Sequence, residues 1–349
     1  MMDISVLRFL GIGVGVATLL LVFYRLREPI SQQKGIWLLF LFGLSLLLVG
    51  LFPGLASLPS DLFRLRTMRG GRLISLLVIS TIILWAIIIS ERLKADRMQQ
   101  QFDRLFRYTV QREFSRQLGP EETCPILIVI PAFNEVDNLR SLLPRIPQAL
   151  RGQPVKALVV DDGSTDGTEE AARRHGALVV SFPVNRGGGA ALRSGYDAAR
   201  SLQASVVVTI DADGQHAPEE IEGLVAPILE GQADIVIGSR ILGSCERYSA
   251  FRWLGVVVFS RLISLLMGIR VADCSSGFRA FRREALELLL LRQDQYHTAE
   301  LIIEAAKRHL RIVERPVAIR ARLSGQSKKG ADLLYGLRFL RTVLFTWWR

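Results

Sequence analysis

Cysteine is scarce in this 349-residue chain. Cys124, Cys245 and Cys274 are too few and too scattered for a disulfide framework or a thiolate zinc site. The four histidines, His175, His216, His297 and His309, show no metal-ligand spacing and read as structural. There is no internal repeat and no low-complexity tract. Acidic residues are also in deficit, 33 against 44 Lys and Arg, for a net charge of +11. Residues 1–119 hold +8 of that excess, beside apolar segments. Such a pattern suits anionic lipid head groups and argues against nucleic acid as a partner.

Apolar residues, by contrast, are abundant. Half the chain is hydrophobic and its mean hydropathy is positive. Runs over 4–24, 36–53 and 73–90 are each about long enough to cross a bilayer core, so region 1–90 is expected to form three transmembrane helices. A cleaved signal peptide would explain only the first run, and no small-residue cleavage site follows Tyr24. With LFPGLASLPSDLF between the second and third runs, this region resembles the three-helix membrane domain DUF2304. The spans are expected to anchor the chain and support a homo-oligomer, not to catalyse, so a chain beginning near Arg116 should keep some activity. Residues 91–118, with Met98, Phe102, Leu105 and Phe106 at helical spacing, predict an amphipathic linker helix.

From Pro125 the texture changes. Ile126–Ile130, Ala157–Val160, Ala177–Ser181, Ser205–Ile210 and Asp234–Ile237 read as strands. Helical stretches at Val136–Leu150, Glu169–His175, Ala190–Leu202 and Pro218–Leu229 separate them, which predicts an α/β fold with a mostly parallel sheet. The β-branched run Val206–Ile210 stops abruptly at Asp211-Ala212-Asp213-Gly214-Gln215-His216. Two carboxylates at such a strand end make an oxygen-rich corner suited to Mg²⁺ or Mn²⁺, with substrate phosphates completing the shell. Alone, the same pattern is also a solvated turn. Polar loops follow the other strands: Pro131–Glu135, Asp161–Thr168 and Asn185–Gly189. Their convergence would describe a nucleotide-diphosphate pocket, glycines letting backbone N–H groups approach phosphate.

IVIPAFNE, VVDDGSTDGT, NRGGGAALRSG, DADGQH, IGSR and DCSSGFRAFRREAL occur in this order. Together they resemble family 2 glycosyltransferases of GT-A fold (Rossmann-like), and within them the dolichyl- and polyprenyl-phosphate sugar synthases. The resemblance covers Pro125 to about Gly330 and implies a glycosyltransferase domain over 119–330. It implies that Pro131, Phe133, Glu135 and Asp162 hold the nucleoside. Asp211, Ala212, Asp213 and Arg240 would complete the nucleotide-sugar site, with Asp211, Asp213 and Gln215 binding the metal. Asp213, Arg240 and Asp273 are the expected catalytic residues, Asp273 orienting the acceptor. Arg252, Arg320, Arg322 and Lys328 would engage an acceptor phosphate.

Leu333, Leu337, Leu340, Leu344 and Trp347 form one helical stripe flanked by Arg338, Arg341 and Arg349, so 331–349 predicts an interfacial amphipathic helix. The expectation is a multi-pass membrane enzyme with a cytoplasmic catalytic domain. It would transfer one hexose from a nucleotide diphosphate sugar to polyprenyl or dolichyl phosphate, with inversion and a divalent metal. Two alternatives stand beside it. A processive polysaccharide synthase would carry Q-x-x-R-W, and here Arg252–Trp253 lacks the Gln. A silent sugar-lipid-handling scaffold would not need Asp211, Asp213 and Gln215 intact.

Overall fold

Strands buried on both faces need a helix layer on each side, and the apolar runs after Pro125 build that arrangement. The structure, a computed structural model, describes residues 4–25, 36–52, 71–118, 123–246, 250–293, 295–320 and 333–349. The chain divides into two units, Met1–Phe102 and Asp103–Arg349.

The first unit is helical: α1 (Ile4–Arg25), α2 (Ile36–Leu51) and the first part of α3 (Gly71–Gln117). α1 and α2 cross where two glycines meet. A Cβ on Gly15 would lie 3.0 Å from the Gly43 carbonyl oxygen, and one on Gly43 would lie 3.1 Å from that of Gly15. Small residues permit this closeness. Elsewhere the unit leaves Phe9, Leu20, Phe23, Leu41, Ile82 and Trp85 exposed.

Two expectations are corrected here. Among the described residues no helix is long and apolar enough to cross a membrane, so the three predicted spans are not supported. α2, with 16 residues, reaches only about 24 Å against a hydrocarbon core of about 30 Å. The helix over the third run does not end at Ser90 either. No Gly or Pro occurs between Arg72 and Gln117, so the run and the predicted linker form a single 47-residue helix.

The second unit contains β1 (Ile126–Ala132), α4 (Val136–Leu142), β2 (Ala149–Leu150), β3 (Gln153–Asp161), α5 (Thr168–Arg174), β4 (Leu178–Ser181) and α6 (Gly188–Ser201). β5 (Val206–Thr209), α7 (Ile221–Leu229), β6 (Ile235–Cys245), α8 (Ala250–Met267), β7 (Arg279–Arg282) and α9 (Arg283–Leu288) follow. α10 (His297–Lys307), β8 (Ile312–Ile319) and α11 (Leu333–Trp348) complete it. The sheet order is β2-β3-β1-β5-β7-β6-β8, with β4 also on β3. β1 alternates between two cores: Leu127 and Val129 join one cluster, while Ile126, Ile128 and Ile130 join the other.

The sheet is mostly parallel, as expected, through the pairs β1–β3, β1–β5, β3–β4 and β6–β8, but antiparallel strands make it mixed. β7 enters between β5 and β6 and runs antiparallel to both, and β2 is antiparallel to β3. The predicted helix Val136–Leu150 is also shorter. Pro144 begins a 3₁₀ turn at Leu143–Arg145, and Ala149–Leu150 has turned back as β2.

Candidate active site

Parallel strands β1 and β3 end level, Ala132 facing Asp161, so the loops that leave them run side by side. Four hydrogen bonds lace these loops. The Asn134 N–H donates to Ser164 Oγ at 2.8 Å, and the Thr165 N–H donates to Asn134 Oδ1 at 2.9 Å. The Glu135 N–H reaches Thr168 Oγ1 at 3.0 Å and the Val136 N–H reaches Asp166 Oδ2 at 3.1 Å. Asp162 ties in a third loop: its two oxygens accept the Arg186 and Gly187 N–H groups, both at 2.7 Å. Burial raises the Asp162 carboxyl above its ordinary value, while those two N–H groups pull it down. Pro131, Phe133 and Glu135 line the same edge, each half-buried.

Beside them β5 ends in the acidic turn. Asp211 is half-buried, Ala212 and Asp213 are buried, and Asp213 Oδ1 accepts the Gln215 N–H at 3.1 Å. The far side of this turn is stitched to the end of β8. The Arg320 N–H donates to the Gln215 carbonyl at 2.9 Å, and Gln215 Nε2 donates to the Arg320 carbonyl at 3.3 Å.

The β7 side supplies the remaining wall. Thr209 Oγ1 donates to the Gly277 carbonyl at 2.7 Å, which draws the segment Asp273–Gly277 against the acidic turn. At Gly277 an added Cβ would stand 2.9 and 3.0 Å from the two Asp211 oxygens. A side chain at position 277 would therefore crowd that carboxylate. Asp273, fully buried, accepts the Arg240 N–H at 3.2 Å and Arg240 Nε–H at 2.6 Å. Ser275 donates its N–H and hydroxyl to the other oxygen at 3.1 and 3.2 Å.

Among the described residues no group of three or more His, Cys, Asp or Glu side chains gathers to hold a metal. The expected set is two carboxylates and an amide, hard oxygen donors of the kind Mg²⁺ and Mn²⁺ take beside substrate phosphates. With Gly277 leaving the Asp211 carboxylate uncrowded by a side chain, these residues fit such an ion.

The glycosyl transferase family 2 model matches residues 127–290. The polyprenol monophosphomannose synthase of Mycolicibacterium smegmatis is 35% identical over 58% of this chain and 80% of its own length. This chain is a family 2 glycosyltransferase. The UDP-N-acetylglucosamine–dolichyl-phosphate N-acetylglucosaminyltransferase of Methanococcus voltae is 32% identical over 55% of this chain and 84% of its own. Among solved structures, glucosyl-3-phosphoglycerate synthase of Mycobacterium tuberculosis with Mn²⁺, UDP and glucosyl-3-phosphoglycerate superposes with a TM-score of 0.51. It is 28% identical, covering 64% of this chain and 80% of that one.

The glycosyltransferase thus gathers Pro131, Phe133, Glu135 and Asp162 on one side, Asp211, Ala212, Asp213 and Gln215 in the centre, and Arg240 with Asp273 on the other. Arg320 stands exposed at the end of the acidic turn. Arg322 and Lys328 lie outside the described residues, as does the side chain of Arg252 in α8.

Reading by motif missed Gly277's steric role, Glu314 and Arg279. Glu314 on β8 accepts the Ala272 and Asp273 N–H groups at 2.8 and 2.9 Å. Arg279, 2% exposed, donates to the carbonyls of Ser276 at 2.8 Å, Thr298 at 2.9 Å and Cys274 at 3.3 Å. Burial pulls its guanidinium pKa down to about 10.

Proposed function

We propose that this glycosyltransferase moves a single hexose from a nucleotide diphosphate sugar, GDP-mannose or a UDP-hexose, to a polyprenyl or dolichyl phosphate with inversion. The observation that carries the reading is the meeting of the laced loops Phe133–Glu135 and Asp162–Gly163 with the turn Asp211–Gln215 at one sheet edge. The first group receives the nucleoside and the second faces the diphosphate. The names of the mycobacterial and archaeal relatives support a lipid phosphate as acceptor.

Asp211, Asp213 and Gln215 would hold a divalent ion, Mg²⁺ or Mn²⁺, which when bound neutralises charge on the leaving diphosphate. Arg240 contributes positive charge beside them, its guanidinium oriented by Asp273. A phosphate acceptor has a second pKa of about 6 and is already ionised near neutrality, so transfer needs no general base. Arg320, whose backbone is tied to Gln215, would engage the acceptor phosphate together with Arg322 and Lys328.

We further assign the enzyme to a membrane surface with its catalytic unit cytoplasmic. α1, α2 and the start of α3 expose apolar side chains, as do α8 and α11 in the second unit, among them Trp253, Leu265, Phe345 and Trp348. Leu337, Leu340, Leu344, Phe345, Trp347 and Trp348 of α11 form a shallow apolar surface that also includes Arg341. That is the composition of an interfacial surface.

The test is transfer by the purified full chain across a panel of GDP- and UDP-sugars, with a short polyprenyl phosphate and Mn²⁺ or Mg²⁺. One donor should give a lipid-linked monosaccharide. Polymer formation, or turnover onto water-soluble acceptors alone, would overturn the reading.

A further inference from the structure

The last turns of α3 lie in the same unit as the sheet, and one face of them meets the loop that Asp162 holds. Asp103, Phe106, Arg107, Val110, Gln111 and Phe114 recur at helical spacing along it. Asp103 pairs with the Arg186 guanidinium, which also lies 4.5 Å from the Phe106 ring centroid. Phe106 packs edge-on against Phe182, which follows β4, with centroids 5.1 Å apart at 83°. Arg107 pairs with Asp197 on α6 at 3.2 Å, and Gln111 Nε2 donates to Ser201 Oγ at 3.2 Å, so α3 holds the C-terminal end of α6. Phe114 is 2% exposed in the core.

Arg186 is therefore gripped twice. Its backbone N–H, with that of Gly187, is fixed by Asp162, and its side chain is fixed by α3. The glycines that open α6 follow at once, and Gly187 has φ +93°. Such a segment supplies little side-chain packing of its own, so its position depends on these two grips.

We infer that the Asp103–Phe114 face of α3 is a positioning element for the nucleotide donor: through Arg186 it fixes the loop Asn185–Gly189 against Asp162. Asp103, Phe106 and Arg107 are positioning residues, not catalytic ones. The ligand they serve is a nucleoside diphosphate, and the inference rests on the donor-site reading above. It also revises an expectation from sequence. A chain beginning near Arg116 would lack five of these contacts at Asp103, Phe106, Arg107, Gln111 and Phe114 and would not keep a competent donor site.

The test is calorimetric titration of the full chain with UDP and with GDP, each in Mn²⁺, on wild type, Asp103→Ala, Arg186→Ala and the double variant. Phe106→Leu, which keeps apolar volume, is the second probe. Asp103→Ala and Arg186→Ala should each weaken binding on the order of tenfold, the scale of losing an outer-shell support. The double variant should be no worse than either single one, because both remove the same contact. Phe106→Leu should weaken binding by severalfold. In turnover, donor KM should rise while kcat stays within about twofold, with the melting temperature unchanged. Wild-type affinity in Asp103→Ala and Phe106→Leu would overturn the inference, as would a lowered melting temperature with unchanged affinity. Wild type binding neither nucleotide would overturn the donor-site reading itself, and this inference with it.

Discussion

Two acidic stretches meet where β5 pairs with β7, and they are built in opposite ways. In Asp211–Gln215 the carboxylates sit at the sheet edge, Asp211 half-buried, with Asp213 taking the N–H of Gln215. In Asp273–Gly277 the carboxylate is fully buried and receives Arg240 on one oxygen and Ser275 on the other. Its backbone is in turn held by Glu314 and Arg279. On the proposed reading the buried Asp273 acts as scaffold for Arg240, whereas the strand-end carboxylates of Asp211 and Asp213 would serve the ligand.

The largest effect should come from the ligand side. Asp213→Ala should lower transfer by about three orders of magnitude, the upper scale for removing one principal electrostatic group. The melting temperature should stay near wild type, and EDTA should reproduce the loss reversibly. Full transfer in metal-free buffer would break the contrast.

Asp273→Ala should behave as a scaffold change. It strands Arg240 in a site where that side chain is only 11% exposed, which destabilises by about 3–5 kcal/mol. Urea unfolding should show a lowered midpoint together with lost transfer. A stable, inactive Asp273→Ala would move Asp273 to the ligand side.

Gly277→Ala tests the join between the two stretches. The new methyl group would stand 2.9 Å from Asp211 Oδ2, so the carboxylate must shift. Transfer should fall about 10- to 100-fold, as for lost outer-shell support, with little change in stability. Unchanged transfer would mean that Asp211 does not need its present position.

The smallest effect is in pH. Burial holds Asp162 above its ordinary value in the fold, so the folded state binds that proton more tightly than the unfolded one. Its contribution to stability consequently falls as pH rises from the unfolded value through the folded one. The protonated acid cannot accept both loop N–H groups, so nucleotide affinity should decline at a higher pH than an ordinary aspartate would impose. Asp162→Asn should remove that acid limb. An unaltered pH profile in this variant would assign the limb elsewhere.

Much of the central sheet is legible in the sequence. Val206–Ile210 is a β-branched run ended by carboxylates, and Ile126–Ile130 is an unbroken apolar stretch before a polar loop. β7 is not legible in the same way. Arg279-Ala280-Phe281-Arg282 has two arginines and no β-branched residue, so nothing local announces a strand buried between two others. The burial of Arg279 depends on carbonyls from Cys274, Ser276 and Thr298, a tertiary fact without a one-dimensional signature. Gly277 stood in a motif, but its work is steric and appears only when Asp211 is beside it. The linker was legible as a helix, but of its predicted apolar positions Met98, Phe102 and Leu105 stay exposed while Phe106 packs on Phe182, and its grip on Arg186 was not legible.

The clamp on Asp273–Gly277 also sets an order in time. Its holders arrive late in synthesis: Thr298 lies 19 residues beyond Arg279, and Glu314 lies 41 beyond Asp273. A nascent chain that has released Asp211, Asp213 and Arg240 carries those groups on an unfinished wall. At about 5–20 residues per second, several seconds pass before β8 can emerge and hold the segment in place. A chain ending before β8 would lack the Glu314 carboxylate that holds Ala272 and Asp273.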